Sequence, residues 1–302
     1  MRRLLFTLSK FYCNVRNFSI IPKLLKQSKI SVDNVAIKGG NDVLFLYEGS
    51  NRYFQMYFDP IDVVKESAER WARSVSIWEE SVKSKKSEFC FILVPNKASL
   101  LRHSYPLSLP MAETPYLENL RKKVHVSLFK PKSPIETFRK NDTHLSPMGN
   151  IEFCNFILVS LGINIQYHGL IFVGANEFIG DLGSKFEPPI SELVKFHSLT
   201  DDFSKPQIIS DNSLEYLPSR HVGISIRLSN ANAPVNKTLR VFGNSFLGVA
   251  TEYSTLWLLG TVFQNVMFEW SPKVNLDAVG ENEIVIFQTC ERFLGYSPDH
   301  WG

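Results

Sequence analysis

Long apolar runs and paired cysteines are both missing from this chain of 302 residues. No stretch offers the ~18 successive apolar side chains that a bilayer-spanning helix requires, so the sequence predicts no such helix. The four cysteines form no Cys-x-x-Cys pair, which argues against a structural zinc site. Cys90, Cys154 and Cys290 lie in apolar surroundings and are predicted to be buried thiols.

Acidic side chains are missing from the first 30 residues, which carry seven basic ones. The net charge of the whole chain is only +3, so the remainder is slightly acidic and no nucleic-acid partner is predicted. The apolar stretch Leu4–Leu8 ends before Lys10 and is too short for the apolar region of a signal peptide. Residues 1–36 are therefore interpreted as a basic segment, either a frayed tail, a membrane-surface segment or a transit-type presequence, and residues 37–302 as one domain.

Apolar stretches alternate with helical patterns along the predicted domain. With 44% apolar residues, the domain can bury a substantial core. Strands are predicted at 43–47, 89–94, 170–173, 239–242, 266–270 and 284–287, and helices at 60–83, 150–161 and 253–259. Strands separated by helices of this length pair in parallel through crossover connections. The expected fold is a doubly wound α/β sheet with helices on both faces.

Ser245 follows the strand predicted at 239–242, in the sequence Gly243-Asn244-Ser245, and a helix is expected to begin close behind it. Ligands bind at this end of the strands in open α/β sheets. Gly243 would let the backbone approach closely. The Ser245 backbone N–H could then face a developing oxyanion. A serine in such a position is, however, more often part of a simple turn or helix cap.

Asp142 and His144 supply the partners that a serine nucleophile needs. Two positions apart, the carboxylate and the imidazole can lie on one side of the backbone, so that Asp142 orients His144 and leaves one ring nitrogen to accept the Ser245 proton. An isolated Asp-x-His is more often a solvated or capping pair. The conjunction of both motifs beside buried strands favours the catalytic interpretation.

Six short blocks resemble a known family in their order along the chain, at residues 38–45, 94–97, 142–149, 180–182, 241–246 and 291–294. The block Asp-Thr-His-Leu-Ser-Pro-Met-Gly resembles Asp-Thr-His-Trp-x-Pro-x-Gly, and Val-Phe-Gly-Asn-Ser-Phe resembles a nucleophile block. The family is the alginate O-acetyltransferase-like group, whose acyltransferase domains are SGNH-hydrolase-like. The resemblance covers residues 37–296. Asn244 stands where the family usually has aspartate, and Leu145 where it has tryptophan.

The resemblance implies a three-layer α/β/α SGNH-hydrolase-like fold with a mostly parallel sheet and circularly permuted motif order. It implies a polysaccharide O-acetyltransferase that works through an acyl-enzyme on Ser245, with His144 and Asp142. The further candidates for the oxyanion or the substrate are Gly243, Asn244, Asn96, Lys97, Arg292 and Tyr253. No bound cofactor or metal is expected, but an acyl donor is required. The expected partners are a polysaccharide acceptor and a membrane-bound O-acyltransferase, at the cell envelope rather than in the cytoplasm.

Two other functions fit the same residues. A carbohydrate esterase would differ only in letting water reach the acyl-serine, and a decayed glycan-binding or assembly protein would explain Asn244 and Leu145. Single residues also have structural alternatives. Lys97 could be a solvated strand end, Arg292 could pair with Glu291, and Asp181 is expected to cap a turn. Tyr253 and Trp257 at helical spacing favour a core role.

Overall fold

The computed structural model describes residues 29–50, 52–168, 170–199, 203–216, 221–248 and 250–298. Most of the predicted basic segment, residues 1–28, lies outside these ranges. Its last residues belong to the folded body, because Ser31 and Ala36 are buried. Among the described helices, none pairs enough length with enough apolar character for a transmembrane span.

The secondary structure alternates in the way that the sequence pattern predicts. The strands are β1 Ala36–Lys38, β2 Leu44–Leu46, β3 Glu88–Val94, β4 Ser127–Leu128, β5 Leu170–Phe178, β6 Glu192–Leu199, β7 Gln207–Asp211, β8 Ser225–Ser229, β9 Val235–Gly243, β10 Phe263–Trp270 and β11 Ile284–Cys290. The helices are α1 Ile61–Ser84, α2 Lys97–Leu100, α3 Pro115–Arg121, α4 Pro134–Thr137, α5 Pro147–Ser160, α6 Ser213–Tyr216 and α7 Thr255–Val262.

A seven-stranded sheet in the order β4-β3-β11-β9-β10-β8-β7 forms the centre of the fold. The strands from β4 to β10 pair in parallel, and β8 and β7 add antiparallel pairs at one edge. The predicted mixed α/β fold with a mostly parallel sheet is therefore confirmed. The carboxyl ends of the parallel strands lie along one edge of the sheet, which is where the sequence analysis predicts the active site.

Each face of the sheet is covered by helices. In β11, Ile284 and Ile286 join a core that includes side chains of α5 and α7. The alternate residues Val285 and Phe287 join a second core with side chains of α1 and α3. This alternation follows from the two-residue period of a strand that is buried on both faces. The result is three layers, helix, sheet and helix.

Helix α1 shows how the apolar spacing determines the packing. Trp71, Val75 and Trp78 recur at intervals of three and four residues and are all buried, as expected for one face of a helix. The Trp78 ring lies 4.7 Å from the ring of Phe287 in β11, centroid to centroid. This helix, predicted at 60–83, is confirmed at Ile61–Ser84.

Three predicted elements differ from the structure. The strand predicted at 43–47 is β2, which pairs with β1 in a separate two-stranded antiparallel sheet. The apolar run predicted as a sheet strand at 170–173 lies instead in a separate antiparallel hairpin of β5 and β6, with Phe172 and Val173 about 60% exposed; an apolar run alone does not specify which sheet a strand joins. The helix predicted from Tyr253 begins at Thr255, because Tyr253 has a positive φ of 66°. Ser254 caps this helix by accepting a hydrogen bond from the Trp257 N–H.

The cysteines are free thiols where the structure describes them. Cys154 and Cys290 are buried as predicted, and burial raises the pKa of the Cys290 thiol to about 11. Cys90 is only half-buried, because its strand lies near the edge of the sheet with only two-residue β4 beyond it.

Candidate active site

Three strand ends bring the predicted site residues to one edge of the sheet. Ser245 follows β9, Arg292 follows β11, and Asn96 follows β3. The loop that contains Asp142 and His144 precedes α5 and reaches the same edge. Residues distant in the sequence meet here because parallel strands end side by side.

The Ser245 turn is shaped by the residue before it. The Asn244 side-chain oxygen accepts a hydrogen bond from the Phe246 N–H at 3.2 Å, and its carbonyl accepts one from the Leu247 N–H at 3.0 Å. Asn244 is only 7% exposed, so its side chain serves mainly to shape the turn. The helix expected directly behind Ser245 is absent at that position, because residues 245–247 form a turn.

Glycine allows close packing on both sides of this turn. A Cβ on Gly243 would lie 3.0 Å from Gln288 Oε1, so the close approach predicted at this position is to β11. A Cβ on Gly248 would lie 2.6 Å from the Trp270 ring. The missing side chains therefore allow the turn to pack between strand β11 and an indole.

Asp142 and His144 form the predicted pair. His144 Nδ1 lies 2.5 Å from Asp142 Oδ1, and the His144 backbone N–H donates to the same oxygen at 2.8 Å. The Asp142 carboxylate is buried. Burial acts to raise its pKa, but the hydrogen bond and charge of His144 outweigh this and hold the pKa of Asp142 well below its usual range. A carboxylate at Nδ1 orients the imidazole and leaves Nε2 for proton transfer.

Ser245 and His144 line one cleft of about 360 Å³. The imidazole lies 6.0 Å from the ring of Phe246, the neighbour of Ser245. No hydrogen bond joins the Ser245 hydroxyl to His144 among the described residues, a separation that is common in ligand-free active sites. Within those ranges the Ser245 backbone N–H also has no acceptor. The cleft thus contains a hydroxyl, an oriented imidazole and a backbone donor.

Lys97 is buried and differs from the expectation of an oxyanion donor or a solvated strand end. Its Nζ donates to the backbone carbonyls of Arg139, Lys140 and Asp142 at 3.0, 3.1 and 2.7 Å. Burial lowers the pKa of Lys97 to about 7, against the attraction of nearby carboxylates including Asp142 and Asp181. Lys97 therefore stabilises the Asp142 loop by binding its backbone carbonyls.

Asn96 and Arg292 line a second, small cavity together with Lys97. The Asn96 amide is buried and has no hydrogen-bond partner among the residues that the structure describes. The Arg292 guanidinium lies 5.8 Å from the Phe246 ring centroid. The alternative of a Glu291–Arg292 ion pair is wrong, because the Glu291 carboxylate accepts instead from the Asn96 N–H at 3.0 Å and from other donors.

Tyr253 lies beside the cleft rather than in its wall. Its hydroxyl is 3.3 Å from the Ser198 hydroxyl, and its ring is 5.6 Å from the Trp257 ring. Trp257 is buried in the core, as predicted. Asp181, expected to cap a turn, accepts hydrogen bonds from Thr143 instead.

The sequence analysis missed several cleft residues, among them Arg139, His221 and Trp270. The Trp270 and His221 rings stack at 4.6 Å. Trp270 ends β10, next to β9, so the strand-end rule that found Ser245 could have found it. His221 lies between the strands predicted at 170–173 and 239–242, where the sequence predicts no helix or strand.

The carboxylates beside His144 form a group that could hold a metal ion with it. Ligand atoms of Asp142, His144 and Asp181 lie within 4.8 Å of one another. Those atoms already make hydrogen bonds, from His144 to Asp142 and from Thr143 to Asp181. The expectation of metal-independent chemistry stays a prediction.

The fold recurs in several solved structures. Bacillus cereus PatB1 with a sulfonyl adduct has a TM-score of 0.58 and 13% identity, over 86% of this chain and 95% of that one. The O-acetyltransferase domain of Pseudomonas putida AlgJ has a TM-score of 0.50 and 12% identity, over 86% and 92%. A DHHW family protein from Eubacterium siraeum DSM 15702 has a TM-score of 0.51 and 9% identity, over 88% and 98%.

These likenesses confirm, at the level of the fold, the resemblance to the acetyltransferase-like group. No family model and no curated protein sequence matches the chain. At such low identities the shared fold does not itself establish an activity.

Proposed function

We propose that this protein is an O-acetyltransferase in which Ser245 is the nucleophile, His144 the general base and Asp142 the residue that orients it. The observation that supports this most directly is the shared cleft. Ser245 and His144 line it together, and Asp142 occupies His144 Nδ1 at 2.5 Å. Because Nδ1 is occupied, Nε2 is the nitrogen left to act on the serine.

The first half-reaction forms an acyl-serine. As Ser245 Oγ attacks the carbonyl carbon of the donor, His144 Nε2 accepts the hydroxyl proton and the carbonyl oxygen becomes an oxyanion. In this proposal the Ser245 N–H stabilises that charge. When the donor's carbon–oxygen bond breaks, His144 returns the proton to the leaving alcohol.

The second half-reaction transfers the acyl group. An acceptor hydroxyl loses its proton to His144 and attacks the acyl-serine, and the ester forms as Ser245 Oγ leaves and regains the proton. A polysaccharide acceptor is what the family resemblance implies, and the Trp270 indole in the cleft wall supports it. Aromatic faces of this kind provide apolar area against a sugar ring.

The motif order, the acyl donor and the cellular location in this proposal follow from the resemblance to the acetyltransferase group. The Asp-x-His motif precedes the serine, which is the permuted order of the acetyltransferase group. A membrane-bound acyltransferase that supplies the acyl group, and a site at the cell envelope, complete this proposal.

Intact-mass measurement after exposure to p-nitrophenyl acetate tests the nucleophile. The unmodified protein should gain one acetyl group, and Ser245→Ala should gain none. Thr251→Ala is a matched control, because Thr251 contributes another hydroxyl to the same cleft and should leave acetylation unchanged. Since a PatB1 structure holds a sulfonyl adduct, a sulfonyl fluoride should also modify Ser245. Acetylation of Ser245→Ala at the unmodified rate would disprove the assignment.

The esterase alternative is separated by adding an oligosaccharide to the acetylated protein. Formation of a sugar ester supports the transferase, whereas loss of acetate at a rate that sugar does not change supports the esterase. A folded protein that binds sugar but never acquires the acetyl group would indicate the decayed, glycan-binding alternative.

A further inference from the structure

Residues 180–183 are docked tightly against the Asp142 loop. A Cβ on Gly180 would lie 2.5 Å from the Asn141 carbonyl oxygen and 2.6 Å from Asp142 Cβ, so only glycine permits this approach. The Leu182 and Gly183 N–H groups both donate to the Asn141 carbonyl, at 3.1 and 2.8 Å. Two segments almost forty positions apart therefore form one unit beside His144.

Asp181 is the centre of this unit. Its backbone N–H donates to Asp142 Oδ2 at 3.1 Å, the oxygen that His144 does not use. Its carboxylate accepts the Thr143 N–H at 2.7 Å and the Thr143 hydroxyl at 2.5 Å. Thr143 lies between Asp142 and His144 in the sequence. By binding Thr143, the Asp181 carboxylate therefore fixes the residue that connects Asp142 to His144.

The Asp181 carboxylate also lies close to the imidazole. Its Oδ2 is 3.9 Å from His144 Nδ1, and the side chain is 41% exposed. At this distance a negative charge favours the positively charged ring more than the neutral one. His144 becomes positively charged each time it accepts a proton in the proposed reaction.

We infer that Asp181 is a positioning residue of the acyl-transfer site, a second carboxylate that holds the Asp142–His144 loop in register and stabilises the imidazolium formed during transfer. The inference rests on the proposed function. Asp181 contacts Thr143 and Asp142 and need not touch the substrate, so its loss should lower the rate of the chemical step and leave substrate binding unchanged.

Asp181→Asn is the informative variant, because the amide oxygen can still accept the Thr143 N–H while the charge is lost. With p-nitrophenyl acetate, kcat should fall by roughly 10- to 100-fold, as expected for a misplaced catalytic group, with KM within about twofold. Asp277→Asn is the matched control. Asp277 is an exposed carboxylate in the turn at residues 276–278. The backbone of this turn binds Lys85, which comes just before β3, so Asp277 lies at the ends of the strands opposite to the cleft. Replacing it with asparagine should change neither kcat nor KM.

Proton NMR gives a readout that does not need turnover. The proton shared by His144 Nδ1 and Asp142 should resonate at low field, be absent in His144→Gln, and shift or broaden in Asp181→Asn but not in Asp277→Asn. If Asp181→Asn does not fold, Thr143→Val, which removes one bond to Asp181 and keeps its charge, should show a smaller fall in kcat at constant KM.

The inference would be overturned if a folded Asp181→Asn variant kept both its kcat and its low-field resonance unchanged. If that variant does not fold, an unchanged kcat in Thr143→Val would overturn it instead. These outcomes are separate from failure of the proposed function, in which the unmodified protein itself does not acquire an acetyl group. In that case the resonance still tests whether Asp181 positions the pair.

Discussion

The side-chain oxygen of Asn244 accepts a hydrogen bond from the backbone N–H of Phe246, so the bond spans Ser245. The Asn244 amide nitrogen lies 3.7 Å from the Cys290 sulfur, in the buried part of the turn. An aspartate could accept the first bond but would place a buried charge beside the thiol. The structure therefore accounts for asparagine at a position where the acetyltransferase group usually has aspartate.

Asn244→Ala should destabilise the protein and slow acetylation. The Phe246 N–H would be buried without a partner, which costs about 1–3 kcal/mol in the free energy of unfolding, and the Ser245 turn would lose its support. Urea unfolding and the rate of acetylation by p-nitrophenyl acetate measure the two effects.

Asn244→Asp separates geometry from charge. It keeps the acceptor for Phe246, so the acetylation rate should stay within about threefold of the unmodified protein, while burial of the new charge lowers the stability by about 1–3 kcal/mol. An Asn244→Ala variant as stable and as reactive as the original protein would show that the turn does not depend on this bond.

The sequence predicts the architecture well where buried strands and amphipathic helices have clear periods, as in α1, β3 and β11. It also selects Ser245 and His144, and the structure brings these two residues to one cleft. The exposed hairpin of β5 and β6 was not predicted correctly, because apolar character alone does not reveal which side of a strand is covered.

Contacts between distant segments could not be predicted. The burial of Lys97 depends on three carbonyls that lie more than forty positions away, and a lysine after a strand has no local signal for such an environment. Likewise, nothing in the neighbourhood of Asp181 indicates that its carboxylate binds Thr143 rather than capping a turn. Both are properties of the assembled loops.

Lys97→Met should destabilise the fold by on the order of 3 kcal/mol, because the carbonyls of Arg139, Lys140 and Asp142 lose their buried donor. The acetylation rate should fall as well, since the Asp142 loop loses its anchor. Lys85→Met is a useful comparison, because Lys85 Nζ also binds two carbonyls, but at the far ends of the strands. It should lower stability without a specific effect on acetylation.

The same lysine predicts a pH dependence of stability. Burial lowers the pKa of Lys97 to about 7 from an ordinary value of 10.5, so between these pH values the unfolded chain binds the proton more readily than the folded one. Raising the pH through this window therefore favours the folded state. Relative to Lys97→Met, the unmodified protein should gain stability in urea between pH 7 and pH 9. A constant difference between the two proteins would contradict the lowered pKa.

Asp142 predicts a change of stability in the same direction, but at acid pH. Its pKa lies well below the ordinary value of 3.8 in the folded protein, so on acidification the unfolded chain takes up the proton first. The stabilisation is present above this ordinary value and is lost as the pH falls below it. Urea unfolding at several acid pH values should show a steeper loss for the unmodified protein than for Asp142→Asn. Parallel curves would mean that His144 does not hold the carboxylate in its charged form.

Chelation and zinc addition distinguish proton transfer from metal chemistry at the same residues. If Asp142 serves to orient His144, then removing metals with EDTA should leave acetylation of Ser245 unchanged. Added Zn²⁺ should inhibit it, because imidazole and carboxylate are good zinc ligands and the atoms of Asp142, His144 and Asp181 lie within 4.8 Å of one another. EDTA should reverse that inhibition, and Asp181→Asn should weaken it. Loss of acetylation on chelation, restored by zinc, would instead make these three residues a metal site and exclude His144 as the base.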